Sequence, residues 1–173
     1  MRERERTRTR EKPPLNENYY ERFLRSRADF VQRQSTGPVV VKAADRDVHM
    51  TRQGRITYLL DKLTFPDTPL QDWLVFKHDL RTQSGKHRHQ GGLVIYVIHG
   101  RGYSIVDGER VDWKAGDLLL LPIKPEGVEH QHFNSDPANL CEWIAFVHMP
   151  IYDYLAAEIT QTEVSPEFAA ANR

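Results

Sequence analysis

Short apolar segments separated by turn residues run through the middle of the chain, from about residue 37 to residue 150. Within them β-branched, aromatic and leucine side chains are frequent, and glycine, proline and aspartate stand between them. Such segments are typical of β-strands, whose successive side chains point to opposite faces of a sheet. Asp107-Gly108, between two of them, is the strongest hairpin signal in the chain. The pattern predicts an all-β domain over residues 37–150.

The segments on either side of this domain follow other patterns. Residues 15–36 carry aromatic and aliphatic side chains at helical spacing with charged residues between them, which predicts a helical extension. Residues 1–14 are mainly arginine, glutamate and threonine, and such a segment cannot bury apolar surface of its own. We therefore expect a mobile N-terminal arm there. Residues 151–173 are expected to form a short C-terminal helix, followed by a loose tail from Thr160 onward.

One predicted strand, Leu93 to Ile98, is apolar on both of its faces. A strand with one face in solvent normally alternates apolar and polar residues, whereas a strand covered on both sides does not. We therefore expect the outer face to be covered, either by the helical extension or by a second subunit. On this basis the chain is predicted to form a homodimer.

Composition excludes several classes of partner. The 173 residues include 24 Lys and Arg and 24 Asp and Glu, so no net charge favours binding to nucleic acid or to an anionic membrane. No apolar run approaches the roughly 20 residues of a membrane-spanning helix, and the N-terminus lacks the apolar region of a signal peptide. A soluble cytoplasmic protein is expected. The single cysteine, Cys141, excludes an internal disulfide and reads as a small core residue.

Two pairs of histidines carry the main chemical signal. His87 and His89 form the first pair, and His130 and His132 form the second. Two residues at positions i and i+2 of a strand point to the same face, so each pair can aim both imidazoles into one interior. The alternative is two solvated strand edges, but the residues between the pairs are strongly apolar. Buried imidazoles need partners, and a divalent cation is a common one, so a metal site is predicted.

The spacing of these residues resembles the two sequence motifs of the cupin superfamily. The first motif has two histidines one residue apart, then a glutamate, then a glycine; His87, His89 and Gly100 match it, and Leu93 stands in place of the glutamate. The second motif is matched, with three extra residues in its middle, by Gly116, Pro122, Pro125, Gly127, His130 and Asn134. This resemblance implies a single cupin barrel, which is a double-stranded β-helix or jelly roll.

Among cupins, the residues in and around these motifs are most similar to those of the gentisate 1,2-dioxygenase and salicylate dioxygenase group. That group also lacks the motif glutamate, and it holds Fe(II) with three histidines. The resemblance implies that His87, His89 and His130 are the metal ligands. It also implies that His132 is a catalytic residue facing the substrate, where it can donate a hydrogen bond or exchange a proton. The residues alone leave open whether His130 or His132 is the third ligand.

The chain departs from that group in two respects. The group normally has two cupin domains in a chain of about twice this length. It also carries an arginine associated with the substrate carboxylate six residues after the second histidine, and this chain has Ile95 there. A substrate other than gentisate is therefore expected.

Three neutral imidazoles leave a divalent ion with its full charge and with open positions for a substrate. This favours a small anionic substrate that chelates the metal. The leading hypothesis is an Fe(II) dioxygenase that acts, with dioxygen, on a chelating aromatic or enolisable anion. Two alternatives stay open: a non-redox lyase, isomerase or cyclase using Mn, Ni or Zn, and a non-catalytic subunit that binds a small ligand.

Of the other histidines, His78 is expected to be a partly exposed strand residue.

Overall fold

The structure is a computed structural model, which describes residues 18–173. Its α-helices are α1 (Tyr19–Thr36), α2 (Met149–Tyr154) and α3 (Pro166–Ala171), and a short 3₁₀ helix spans Ala43–Asp45. Its strands are β1 (Val48–Thr51), β2 (Gly54–Leu60), β3 (Trp73–Leu80), β4 (Lys86–His89), β5 (Leu93–His99), β6 (Arg101–Val106), β7 (Glu109–Lys114), β8 (Leu118–Leu121), β9 (Val128–Asn134), β10 (Cys141–His148) and β11 (Thr160–Glu163).

The strands form two antiparallel sheets that pack face to face. The larger sheet has the order β1-β2-β3-β10-β5-β8, and the smaller has the order β11-β4-β9-β6-β7. Chain neighbours are often not sheet neighbours, because the chain crosses repeatedly from one sheet to the other, as it does in a double-stranded β-helix. The prediction of an all-β jelly roll with an N-terminal helix and a short C-terminal helix is confirmed.

The core lies between the two sheets and is built by alternation along the strands. In β5, Leu93, Ile95 and Val97 are at most 4% exposed and face the other sheet. They pack with inward side chains of β10, including Trp143 and Ala145. The alternation follows directly from the two-residue period of a strand. It places every inward side chain of β4 and β9 in the same interior.

On the opposite face of the larger sheet, the part formed by β5, β8 and the end of β10 is apolar and uncovered in the described part of the chain. We call it the outer apolar face; it comprises Val94, Tyr96 and Ile98 of β5, Leu118 and Leu120 of β8, and Phe146 of β10. These side chains are between 36% and 66% exposed. The strand pairing sets them side by side, with Val94 between Leu120 and Phe146. The predicted strand with two apolar faces is therefore present, but α1 does not cover it.

Helix α1 projects from the barrel, and none of its residues is buried. It begins at an Asn18 cap, whose side-chain oxygen accepts a hydrogen bond of 3.0 Å from the backbone N–H of Glu21. Near its other end the Gln34 side chain donates to the carbonyl of Pro69 in the β2–β3 loop. Its apolar side chains stay exposed, namely Tyr19, Tyr20, Phe23, Leu24, Phe30 and Val31. The helix therefore presents a second apolar surface without a partner in the described chain.

The prediction of a loose tail from Thr160 onward is wrong. Thr160–Glu163 forms β11, which pairs with β4 and sets Gln161 opposite His87. Pro166–Ala171 forms α3, capped by Ser165, whose hydroxyl accepts from the backbone N–H of Phe168. The reason is that β4 would otherwise be an edge strand with unpaired backbone groups. A short polar strand carries no apolar alternation, so the sequence alone did not reveal it.

Two further expectations concern the ends and the membrane. The arm predicted over residues 1–14 lies outside the described residues. Within residues 18–173, no helix combines the length and the hydropathy needed to cross a bilayer.

Candidate metal centre

The register between β4 and β9 brings the two histidine pairs together. These strands are antiparallel neighbours in the smaller sheet, and His87 lies directly opposite His130. Because side chains two residues apart share a face, His89 and His132 point the same way as their pair partners. All four imidazoles face the interior and are at most 5% exposed.

Three of the four histidines form a compact cluster of possible ligands. One ring nitrogen from each of His87, His89 and His130 lies within 4.8 Å of the other two. Bonds from imidazole nitrogen to a divalent ion are about 2.1 Å long, so small ring rotations would let the three nitrogens share one ion. The fourth histidine, His132, lies beside this cluster, with its ring centroid 5.3 Å from that of His130.

Hydrogen bonds to backbone carbonyls set the direction of two of these rings. Nδ1 of His89 lies 2.8 Å from the carbonyl oxygen of Gly91, and Nδ1 of His130 lies 3.2 Å from that of Val128. A carbonyl only accepts, so each Nδ1 carries the proton and each Nε2 carries the lone pair. Nε2 of His130 is buried and has no partner in the described chain. A cation bound at this nitrogen would satisfy it, and the donor set therefore fits a metal.

The cluster is held in the neutral form that a metal requires. Burial, with a contribution from His89, lowers the pKa of His87 to about 4. Burial also lowers the pKa of His89, and it lowers that of His130 well below the usual value. At neutral pH all three rings keep a lone pair. Within the described residues no carboxylate joins this cluster, so an ion bound here would keep its full charge.

His132 is held by a different kind of partner. Its Nδ1 lies 2.7 Å from the hydroxyl oxygen of Ser104, and that oxygen also accepts a hydrogen bond of 2.9 Å from the indole N–H of Trp113. Burial lowers the pKa of His132 well below its usual value, with His78 as the next cause. The structure thus brings all four predicted site histidines together, and His132 lies outside the cluster of His87, His89 and His130.

A cavity of about 460 Å³ opens above the histidines. Its walls are mainly apolar and include Ile56, Phe76, Leu93, Trp143, Val147 and Met149. Leu93, which stands in place of the motif glutamate, is part of this wall, whereas Ile95 lies in the core and does not line it. The polar side chains at the cavity include Thr51, Gln53, Gln161 and the hydroxyl-bearing rings of Tyr58 and Tyr152.

Arg52 is the one Lys, Arg, Asp or Glu side chain among the described residues that line this cavity. It lies in the turn between β1 and β2, and it is exposed. It makes no ion pair with another described residue. Sequence reasoning missed Arg52, because nothing local marks a turn residue as the rim of a cavity built by distant strands.

His78 was also misjudged. It is 1% exposed rather than partly exposed, it packs edge-on against Trp143, and neither of its ring nitrogens has a partner in the described chain. Burial, together with the nearby His87, lowers the pKa of His78 to about 3. The signal was present in the sequence, since Phe76, His78 and Leu80 share one parity along β3.

Comparisons with known proteins place this geometry in context. Residues 79–147 match the family model described as the cupin domain. A gentisate 1,2-dioxygenase from Ralstonia sp. is 33% identical over 72 residues, which is 41% of this chain and 19% of that protein. The chain thus matches about a fifth of that curated relative's length.

Solved structures with a similar fold include three different kinds of protein. Salicylate 1,2-dioxygenase from Pseudoaminobacter salicylatoxidans, in a structure with gentisate, is 16% identical with a TM-score of 0.50; the match covers 83% of this chain and 36% of that one. A variant of PAC13 from Streptomyces with uridine is 12% identical with a TM-score of 0.54, covering 76% and 96%. Vicilin from hazelnut, Corylus avellana, is 14% identical with a TM-score of 0.53, covering 70% and 36%. At these identities the likeness extends to the fold alone.

The buried histidines predict a specific dependence of stability on pH. The folded-state pKa of His78, about 3, lies below the unfolded value of about 6.5, so only the unfolded chain gains this proton between those values. The free energy of unfolding of the metal-free protein should therefore fall as the pH drops from 6.5 towards 3. For each such histidine the slope is up to about 1.4 kcal/mol per pH unit.

Denaturant unfolding in the presence of a chelator, repeated between pH 7 and pH 4, measures this slope. His78→Leu should reduce the slope, whereas His99→Gln, which changes an exposed histidine on β5, should leave it unchanged. An equal slope in wild type and His78→Leu would contradict the assignment of His78 as a buried neutral histidine.

Proposed function

We propose that the chain is a metal-dependent dioxygenase acting on a small chelating aromatic or enolisable anion, because residues 79–147 match the family model of the cupin domain. The observation that supports this most is the cluster of three buried neutral histidines at the base of an apolar cavity, which no carboxylate of the described residues joins. The matches to a gentisate dioxygenase and to the fold of a salicylate dioxygenase support the same class.

The proposed ligands are His87, His89 and His130. Each is buried, and for His89 and His130 the backbone carbonyl at Nδ1 directs the Nε2 lone pair away from the strand. Such a set suits Fe(II), and also Mn, Ni and Zn. When bound, Fe(II) would supply the redox chemistry that joins dioxygen to the substrate.

The charge of the cavity favours an anion. A divalent ion held by neutral ligands leaves a net positive charge at the base, and Arg52 adds another at the rim. Near the apolar walls of the cavity the charge of the ion would attract a carboxylate or phenolate more strongly than it would in water. Arg52 can also take a carboxylate in two parallel hydrogen bonds. The substrate proposed is therefore a small planar acid of the hydroxybenzoate or enolate type.

The remaining side chains of the cavity orient the substrate and exclude water. Phe76, Leu93 and Trp143 offer flat or branched apolar surfaces against which a ring can pack. His132, which also lines the cavity, would donate a hydrogen bond to an oxygen of the substrate. These contacts keep the substrate in one orientation, and they limit the access of bulk water to the reacting atoms.

A second candidate is a non-redox lyase, isomerase or cyclase. It is favoured by the donor set, because an all-imidazole site also suits Zn, Mn or Ni as a Lewis acid. A non-catalytic subunit that binds a small ligand would use the same cavity.

We further propose that the chain is a homodimer, formed by the outer apolar face and a second copy. The six side chains of that face expose on the order of 500 Å² of apolar surface, which is at the upper end for a monomer. A stable dimer buries about 800 Å² on each partner, so residues around this face would also take part in the interface. The six side chains of that face carry no charge, so burying them against the same six side chains of a second copy would leave no charged group unpaired.

The ligand assignment predicts the outcome of four substitutions. His87→Ala, His89→Ala and His130→Ala should each abolish stoichiometric metal, because each removes one of three ligands. His132→Ala should keep the metal and reduce turnover at least tenfold. Metal content by mass spectrometry after purification, with circular dichroism as the control for folding, measures both. Retained metal in His130→Ala with loss in His132→Ala would reverse the two roles.

The activity is tested by oxygen consumption of the Fe(II)-loaded protein with a panel of hydroxybenzoates, hydroquinones and β-dicarbonyl compounds. We expect uptake of dioxygen with at least one of them. Turnover without dioxygen would support the second candidate, and metal binding without any turnover would support the ligand-binding subunit.

The same assay tests Arg52. Arg52→Gln should raise KM for an anionic substrate roughly tenfold, because the charged contact with the substrate carboxylate is lost, and should change kcat little. Arg55→Gln is the matched control, because Arg55 is an exposed residue of the same hairpin that does not line the cavity. Equal effects of the two substitutions would contradict a specific role for Arg52.

The dimer is tested by light scattering at micromolar concentration, where wild type should have twice the mass of the chain. Leu120→Glu places a charge in the outer apolar face and should yield monomers. Leu63→Glu is the control, since Leu63 is 88% exposed in the β2–β3 loop, outside that face. A monomeric wild type would overturn the proposal.

A further inference from the structure

Three buried side chains form a hydrogen-bonded chain that ends on His132. The indole Nε1–H of Trp113 donates to the hydroxyl oxygen of Ser104 over 2.9 Å, and that oxygen lies 2.7 Å from Nδ1 of His132. Trp113 is 6% exposed, Ser104 0% and His132 2%. The strands β7, β6 and β9, adjacent in the smaller sheet, supply one residue each.

The chemistry of the donors sets the direction of this chain. An indole N–H can only donate, so the oxygen of Ser104 accepts from Trp113. The hydroxyl hydrogen of Ser104 then needs an acceptor of its own, and the side chain has no contact with bulk solvent. Among the described residues, Nδ1 of His132 is the partner available to it. Ser104 therefore donates, and Nδ1 carries the lone pair.

The opposite arrangement leaves a hydrogen without a partner. If Nδ1 of His132 carried the proton, the oxygen of Ser104 would accept from both Trp113 and His132. Its own hydrogen would then be buried and unpaired, which is disfavoured. A neutral imidazole has one N–H, so the proton of His132 lies on Nε2. Since Ser104 occupies the Nδ1 edge, Nε2 is the nitrogen left to meet the cavity that His132 lines.

We propose that Ser104 and Trp113 are positioning residues that keep the proton of His132 on Nε2, so that His132 donates a hydrogen bond to an anionic oxygen of the ligand in the cavity. The identity of that ligand rests on the proposed function, whereas the position of the proton does not. Nε2 of His132 has no lone pair in this state, and it is therefore a donor and not a metal ligand.

His130, two residues earlier on the same strand, has the opposite polarity. Its Nδ1 faces the carbonyl of Val128, which accepts, whereas Nδ1 of His132 faces the hydroxyl of Ser104, which donates. The partner at Nδ1 thus decides what Nε2 carries. Nε2 of His130 keeps a lone pair, which can bind a cation, whereas Nε2 of His132 carries a proton, which can be donated to an anion.

Nitrogen-15 NMR of the imidazoles, recorded on the full chain loaded with Zn²⁺ at pH 7.5, tests the proton positions directly. We expect His132 to be protonated at Nε2. Trp113→Phe removes the donor to Ser104, so the hydroxyl can turn and accept, and a population protonated at Nδ1 should appear. A wild-type His132 protonated at Nδ1, or no change in Trp113→Phe, would overturn the proposal.

Ser84→Ala is the matched control for this measurement. The hydroxyl of Ser84 is also buried, and it accepts a hydrogen bond of 2.9 Å from the backbone N–H of His132, so it contacts the same residue but not its ring. Ser84→Ala should leave the proton of His132 on Nε2. If Ser84→Ala shifted that proton as much as Trp113→Phe does, the tautomer would depend on a general loss of order in β9. It would not depend on the hydrogen bonds from Trp113 through Ser104, and the proposal would be overturned.

Binding of salicylate to the Zn²⁺-loaded protein, followed by calorimetry, tests the consequence. Ser104→Ala and His132→Ala should each weaken binding by about tenfold. The double variant should bind no more weakly than His132→Ala, because both changes remove the same interaction. Unchanged affinity in Ser104→Ala with a loss in His132→Ala would overturn the positioning role. If wild type does not bind salicylate, the proposed substrate class fails, and the NMR measurement still decides the tautomer.

Discussion

The register between β4 and β9 is the constraint on which the candidate site depends. It sets His87 opposite His130 and turns all four paired histidines into one interior. Because side chains alternate along a strand, a slip of one residue in β9 would send His130 and His132 to the other face of the sheet. The same sheet holds Ser104 on β6 and Trp113 on β7. The arrangement of the histidine cluster, and the hydrogen bonds that reach His132 from Ser104 and Trp113, therefore follow from the pairing of neighbouring strands.

An interior with so many histidines is costly unless the rings are neutral and partnered. The apolar packing between the sheets favours the neutral form, and it thereby prepares the lone pairs of His87, His89 and His130 for a cation. The same packing leaves Nε2 of His130 without a partner in the described chain. Burial would thus lower the stability of the protein in the absence of an ion and would favour the binding of one. Burial of the His78 ring has the same desolvation cost, although His78 does not line the cavity.

Shape and charge of the cavity act together. Its walls are apolar, and in place of the motif carboxylate it has Leu93, so the positive charge of a bound ion would not be offset at the base. Arg52 lies at the rim of the cavity, whereas the dioxygenase group carries its arginine at the position that Ile95 occupies in this chain. A cationic group near the cavity is therefore present in this chain, but it comes from the β1–β2 turn and not from β5.

The sequence by itself determined which residues share a face. Alternation along β5, the Asp107-Gly108 hairpin and the i, i+2 spacing of the histidine pairs predict a barrel with inward imidazoles, because these properties follow from local backbone geometry. Only the tertiary structure decided which pairs meet, that Ser104 and Trp113 reach His132, that β11 covers the edge of β4, and that α1 leaves the outer apolar face open. Those features depend on contacts between residues far apart in the chain, and no local pattern records how the strands are ordered or in what register they pair.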